Sequence, residues 1–307
     1  MQKKAPKIDP YFRAMRLERW PRSLAIYAGS TAFFFLNKDL FLANSVSNII
    51  LRIILSFFLT WGISTANYVV NEIADVPHDI HHPSKSNRPL IKGEIDKTHF
   101  IMMGILITIL SLVLSGILFT RVFTYSLLGL LIAGFLYNIK PIRTKDIPFL
   151  DSISESANNP IRFFIGWFAF SPGTLFPPIS LLLCWWAFGN YLLVAKRLSE
   201  FHSLKEKAGD YRASLRRYSE GSLIFGMVFS AGVFFSTYIL FSVTYSLYAF
   251  LYLSPFLFFY FYLIFQKTLK EKGIMEEPER LLKNPVFAVY TLFLVVLFLI
   301  AAYISSI

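Results

Sequence analysis

Charged residues are scarce in this 307-residue chain, at 16% of the total. A soluble domain carries about 25%, so a chain that is water-facing throughout is excluded. Cysteine occurs once, at Cys184, inside an apolar run. A single thiol makes no intrachain disulfide and no Cys-based metal site, and Cys184 reads as a small packed side chain. Long segments of alternating polar and apolar residues are missing too, which excludes a transmembrane barrel, whose strands need that period.

What is present is apolar: 55% hydrophobic and 18% aromatic residues, with a mean hydropathy of +0.53. Continuous runs predict helical spans near 22–42, 47–70, 98–119, 123–140, 152–171, 174–196, 222–242, 245–266 and 285–306. The expected fold is therefore an all-α integral membrane bundle of about nine helices. A basic segment over 1–20 precedes one membrane domain over 21–307. Tyr11, Phe12, Met15 and Trp20 of that segment are candidates for insertion at the membrane interface. The first span reads as an uncleaved anchor.

The net charge of +11 sorts by loop. With the N-terminus in the cytoplasm, 26 of the 30 Lys and Arg residues fall in cytoplasmic segments, the positive-inside pattern. The expected location is the cell's inner (plasma) membrane, with the C-terminus outside. This distribution argues against nucleic acid as a partner and for membrane lipids. Function belongs to the long polar loops of the cytoplasmic face.

The most informative of these follows the second span: Asn71-Glu72-Ile73-Ala74-Asp75-Val76-Pro77-His78-Asp79, then Lys85-Ser86-Asn87-Arg88-Pro89. Asn71, Asp75 and Asp79 at i, i+4 and i+8 share one helical face, with Glu72 beside Asp75. Converging oxygens suit Mg²⁺, which enters such sites with substrate phosphates, and Lys85 and Arg88 supply counter-charge. Pro77 disfavours a continuous helix through Asp79 and predicts a turn there. His78, His81 and His82 form H-x-x-H-H, but His99 and His202 are the only other imidazoles, too few for a histidine-box di-iron centre. The bland alternative for 71–89 is a solvated loop.

A second constellation joins Tyr137, Lys140, Arg143 and Lys145 to Asp151, Glu155, Asn158, Asn159 and Arg162. Asp151, Glu155, Asn158 and Arg162 fall within about 60° on one helix, a stripe expected to face a cavity or to hold a Glu155–Arg162 ion pair. A third comprises Lys196, Arg197 and Glu200 at the end of the sixth span, with Lys205, Lys207, Asp210 and Arg212 beyond. The 267–284 loop, with Lys267, Lys270 and Lys272, reads as solvated surface.

These motifs resemble the UbiA superfamily of membrane prenyltransferases, over roughly residues 15–300. The first signature, N-D-x-x-D-x-x-x-D followed by K-x-x-R-P, appears as Asn71-Glu72-x-x-Asp75-x-x-x-Asp79 and Lys85-x-x-Arg88-Pro89. Tyr137 and the lysines after it are similar to the family's Tyr/Lys element. The family's second D-x-x-x-D motif is absent. Together with His82-Pro83, the Asp151 to Arg162 stretch and Lys196-Arg197-x-x-Glu200, that absence is similar to the branch that makes polyprenylphosphoryl-phosphoribose.

The resemblance implies Mg²⁺-dependent transfer with diphosphate release, between a diphosphate-bearing co-substrate and a polyprenyl lipid. Asn71, Glu72, Asp75 and Asp79 are then the metal ligands, and Tyr137, Lys145 and Asp151 act with them in catalysis. Lys85, Arg88, Glu155, Arg162, Lys196, Arg197 and Glu200 contact substrate. Phosphoribosyl transfer onto a polyprenyl phosphate is the alternative chemistry, and lipid or small-molecule transport the alternative class.

Overall fold

The computed structural model describes residues 9–80, 85–204, 212–270, 275, 281 and 284–305. All of its regular elements there are helical. Among the described residues, six helices are long and apolar enough to cross a membrane. The chain divides into two compact units, 1–144 with 161–176, and 145–160 with 177–307.

The first unit opens with helix α1 (Asp9–Ala14), a 3-10 segment (Leu17–Ala25) and α2 (Ile26–Leu36). Its long helices are α3 (Val46–Asp79), α4 (Lys97–Leu118) and α5 (Arg121–Asn138). Each long helix starts where a side-chain oxygen takes an otherwise orphaned amide. Ser45 accepts from the Asn48 amide, Asp96 from His99 and Thr120 from Phe123. On α4, Ile105, Leu106, Ile109, Val113 and Ile117 are exposed, a continuous apolar face that only lipid solvates without penalty.

α6 (Leu150–Ser156) begins the second unit, and α7 (Asn158–Phe168) runs from it into the first. The second unit continues with α8 (Ile179–Leu204), α9 (Glu220–Thr244), α10 (Ser254–Lys270) and α11 (Pro285–Ser305). A capping box between Ser219 and Ser222 starts α9. Tyr191, Leu198, Phe234, Phe261 and Ile264 centre its core. Polar atoms there find partners, as a dry interior requires: Asn190 Nδ2 donates to Ser230 Oγ at 2.9 Å and the Tyr191 hydroxyl to the Phe261 carbonyl at 2.6 Å.

Several expectations change. The six long helices match six of the nine expected spans, while the runs at 22–42, 152–171 and 245–266 contain helices of 11, 11 and 17 residues. The break after α9 extends from Tyr245 to Leu253 and includes a short helix, Tyr248–Leu251, so it is longer than the polar 243–246 stretch suggested. Tyr11 and Met15 are buried against Val69 and Phe100, and only Phe12 and Trp20 stay exposed. The Tyr11 hydroxyl accepts from the Asp96 amide at 3.1 Å, which ties α1 to the start of α4.

α2 and the 161–176 stretch meet at two glycines. A Cβ on Gly166 would lie 1.7 Å from the Ile26 carbonyl oxygen, and one on Gly29 2.0 Å from that of Phe163. Small residues permit this backbone approach, the usual basis of helix contact in lipid. Gly166→Ala forces backbone rather than a flexible side chain to move. It is expected to cost about 3 kcal/mol, read as a lowered unfolding temperature in detergent; an unchanged one contradicts the packing.

Candidate functional site

α3 continues through Pro77 to Asp79, so Asp79 is helical and not on a turn. Pro77 lies in the last turn, where its missing N–H removes a single ladder bond before the helix ends. The Ala74 carbonyl, one residue beyond the Ile73 carbonyl that Pro77 leaves without its donor, accepts from Arg143 Nη1 at 3.2 Å. Asn71, Glu72, Asp75 and Asp79 consequently share one face of one helix.

Every carboxylate on this face has an arginine. Arg16 Nη2 contacts Glu72 at 2.8 Å, and Arg88 Nη1 lies 3.4 Å from the same carboxylate. Arg88 also pairs with Asp79. Arg143 Nη2 reaches Asp75 at 3.2 Å, and its Nη1 is anchored on the Ala74 and Asn138 carbonyls. The side chain of Asp75 is 18% exposed, against 2% for Glu72, so Asp75 is the more open to a ligand. Asn71 is half-buried. Arg16 is a part of this site that sequence spacing left out, 56 positions from its partner, and Arg143, read from the sequence with the second constellation, pairs with Asp75 here.

Among the described residues, no three of His, Cys, Asp and Glu group closely enough to hold a metal unaided. Mg²⁺ typically takes one or two carboxylates and fills its sphere with water and substrate phosphate. The hard-oxygen set on α3 fits that mode. His81, His82, Lys205, Lys207, Asp210 and Lys272, and the side chains of His78 and Lys85, lie outside the described residues.

A cavity of about 790 Å³ in the same unit is lined by Ala66, Val70, Ile73 and Ala74 of α3 with Ile105 and Phe135. Those α3 positions lie on the face opposite the carboxylates. The cavity is mostly apolar, but Asn138, Lys140 and Arg143 also line it, and Arg143 is the partner of Asp75.

The second unit holds a separate buried network. Arg197 is fully buried and donates to Asp151 through Nε at 2.8 Å, to Glu155 through Nη2 at 2.8 Å and to Glu200 through Nη1 at 2.9 Å. Asp151 also accepts from the Tyr218 hydroxyl at 2.6 Å and from Ser214 Oγ at 3.1 Å. Arg212 Nη1 approaches it at 3.6 Å. Burial, and then the neighbouring Asp151 charge and hydrogen bond, push the Tyr218 hydroxyl above its ordinary range, so Tyr218 stays a proton donor. Lys196 lies within electrostatic reach of Glu155 and Glu200.

The single polar stripe expected from Asp151 to Arg162 is instead carried on two helices. Asp151 and Glu155 lie on α6, Asn158 and Arg162 on α7. Glu155 bonds Arg197, and the buried Arg162 Nε has no hydrogen-bond partner among the described residues. The break falls at Ala157 because Pro160 has no N–H to give the Ser156 carbonyl. The Asn158 side chain instead donates to the Glu155 carbonyl at 3.0 Å. Tyr137 is half-buried in the last turn of α5, and Lys145 is buried in the 3-10 turn Thr144–Asp146.

The sequence profile of the UbiA prenyltransferase family matches residues 29–274. No curated protein matches the chain. A UbiA homolog from Archaeoglobus fulgidus superposes with a TM-score of 0.64 at 17% identity, covering 97% of this chain and 99% of that one. The same homolog bound to GPP and Mg²⁺ gives 0.57 at 18% identity, with 97% and 99% covered. A structure of digeranylgeranylglyceryl phosphate synthase gives 0.63 at 16% identity and 97% of both chains.

Proposed function

The chain belongs to the UbiA prenyltransferase family, and we propose that it is a Mg²⁺-dependent membrane transferase that releases diphosphate and acts on a polyprenyl lipid. The observation that carries this reading is the one-faced set Asn71, Glu72, Asp75 and Asp79, ringed by Arg16, Arg88 and Arg143. The binding of GPP and of DMAPP with Mg²⁺ by the Archaeoglobus homolog supports it. Asn71, Glu72, Asp75 and Asp79 would hold Mg²⁺. When bound, the metal neutralises charge that develops on a diphosphate leaving group.

Arg88, Lys85 and Arg143 orient the phosphates of the donor and add hydrogen-bond donors to the departing oxygens. Tyr137, in the same unit, completes the polar lining. In the second unit Arg197 acts as a positioning residue: it fixes Asp151, Glu155 and Glu200, and leaves Lys196 as the nearby cation. The excess of Lys and Arg in the loops between alternate spans supports an N-terminus on the cytoplasmic side of the inner membrane.

One observation favours the phosphoribosyl alternative. Asp151, Glu155 and Glu200 of the second unit are already bonded to Arg197, which leaves them less available to a second metal ion. Purified protein in detergent, given labelled prenyl diphosphate or labelled phosphoribosyl diphosphate in turn, separates the two. Diphosphate release is expected to stop with EDTA and return with Mg²⁺. Release that continues in EDTA overturns the metal assignment.

A further inference from the structure

α4 and α5 follow one another in the chain, joined through Phe119 and Thr120. They meet near that link, where Ser115 Oγ donates to Thr124 Oγ1 at 3.1 Å. Toward their far ends the cavity of about 790 Å³ lies between them, with α3 as its floor. α4 lines it with Ile101, Ile105 and Ile109, spaced i, i+4 and i+8 as one helical stripe. All three are exposed, so the groove opens to lipid. α3 lines it from Ala66 to Pro77, a rise of about 16 Å. One leaflet of hydrocarbon is about 15 Å deep, half of a core of roughly 30 Å. The groove therefore has the length of one lipid chain from head group to midplane.

Its available polar groups gather at one end. Inside, the Thr108 hydroxyl is already used, donating to the Gly104 carbonyl at 2.9 Å. Where α5 stops, Asn138, Lys140 and Arg143 line the opening. Asn138 Nδ2 donates to the Gly134 carbonyl at 2.8 Å, and Arg143 holds Asp75. Lys140 is exposed and forms no ion pair among the described residues. No acid among those residues lines the groove. A lysine stem lies readily along apolar surface with its ammonium at the head-group level. A zwitterionic head brings a further cation to this basic rim, whereas an anionic one brings only attraction.

We propose that the groove binds one anionic phospholipid of the surrounding bilayer, with a chain along α3 and α4 and the phosphate at Lys140. This lipid is held and not consumed. The α3 residues of the groove lie on the face opposite Asn71, Asp75 and Asp79, so its head group does not share a face with the donor diphosphate. The binding does not depend on the transferase reading above.

The test is lipid binding to the purified, delipidated full chain in detergent, with EDTA present and no donor. Dioleoyl phosphatidylglycerol is the probe, dioleoyl phosphatidylcholine the control, and native mass spectrometry counts the lipids held per chain. One phosphatidylglycerol should bind at least tenfold more tightly than phosphatidylcholine, and salt should narrow the difference. Lys140→Gln should remove most of that preference and Lys140→Arg keep it. Ile105→Trp fills the groove from its exposed side and should weaken both lipids. The wild-type comparison of head groups stands on its own if a variant fails to fold. A separate incubation with prenyl diphosphate and Mg²⁺ should return the phosphatidylglycerol with its mass unchanged. Equal affinity for the two head groups, binding unchanged in folded Lys140→Gln and Ile105→Trp alike, or recovery of a prenylated lipid overturns the proposal.

Discussion

Asp75→Ala is expected to reduce turnover by about 10²–10³-fold, equivalent to roughly 2.7–4 kcal/mol of transition-state stabilisation, while the folded protein persists in the membrane. Asp75 is the carboxylate on the acid face of α3 whose side chain is 18% exposed, beside the buried Glu72. Its partner Arg143 keeps two carbonyl acceptors, Ala74 and Asn138, after the substitution. The fold also loses a mostly buried ion pair with Arg143, which has a stability cost of its own. Steady-state diphosphate release alongside an unfolding curve separates the two effects. Asp75→Asn preserves shape and removes charge, and should resemble Ala in turnover if metal binding is what is lost.

The second large effect falls on stability. Arg197→Met removes the cation that three acids share, Asp151, Glu155 and Glu200. Breaking a buried ion pair from one side typically costs 3–5 kcal/mol, because the remaining charge is left uncompensated. Here the charges left are carboxylates, one of them fully buried. The variant is expected to unfold or aggregate on extraction. Arg197→Lys retains charge but cannot fork to three acceptors, so it should fall between. Asp151→Asn added to Arg197→Met should recover part of the loss, the coupling that a double-mutant cycle reads. Additive losses would contradict a shared network.

Helices and the acid face were legible in the sequence because both depend on neighbours in the chain. Apolar runs mark the six long helices, and caps at Ser45, Asp96, Thr120 and Ser219 follow from side-chain oxygens one step before them. Asn71, Asp75 and Asp79 needed only the helical period. The short α2 was not legible, since the apolar run at 22–42 gives no sign that part of it is 3-10. The split between α6 and α7 had a signal in Asn158-Asn159-Pro160 that periodicity overrode. Counter-ions were hidden for a different reason. Arg197 finds Asp151 46 positions away and Arg16 finds Glu72 56 away, and pairings at such separations are set by packing rather than by any local pattern.

The arginines also give the acids of α3 charged partners in a chain that is mostly apolar. Arg16, Arg88 and Arg143 lie against them, as buried carboxylates require. A phosphate ligand competes for the same guanidinium groups, so donor binding should be sensitive to Arg88→Gln as well as to Asp75.

The most direct test of the central claim is diphosphate release by the purified protein in detergent with Mg²⁺ and a labelled donor, run on wild type and Asp75→Ala together. The account predicts release by wild type only when Mg²⁺ and a lipid acceptor are both present, and its near-complete loss in Asp75→Ala. Equal release by the two proteins, or no release from prenyl or phosphoribosyl diphosphate by a folded wild type, would contradict it.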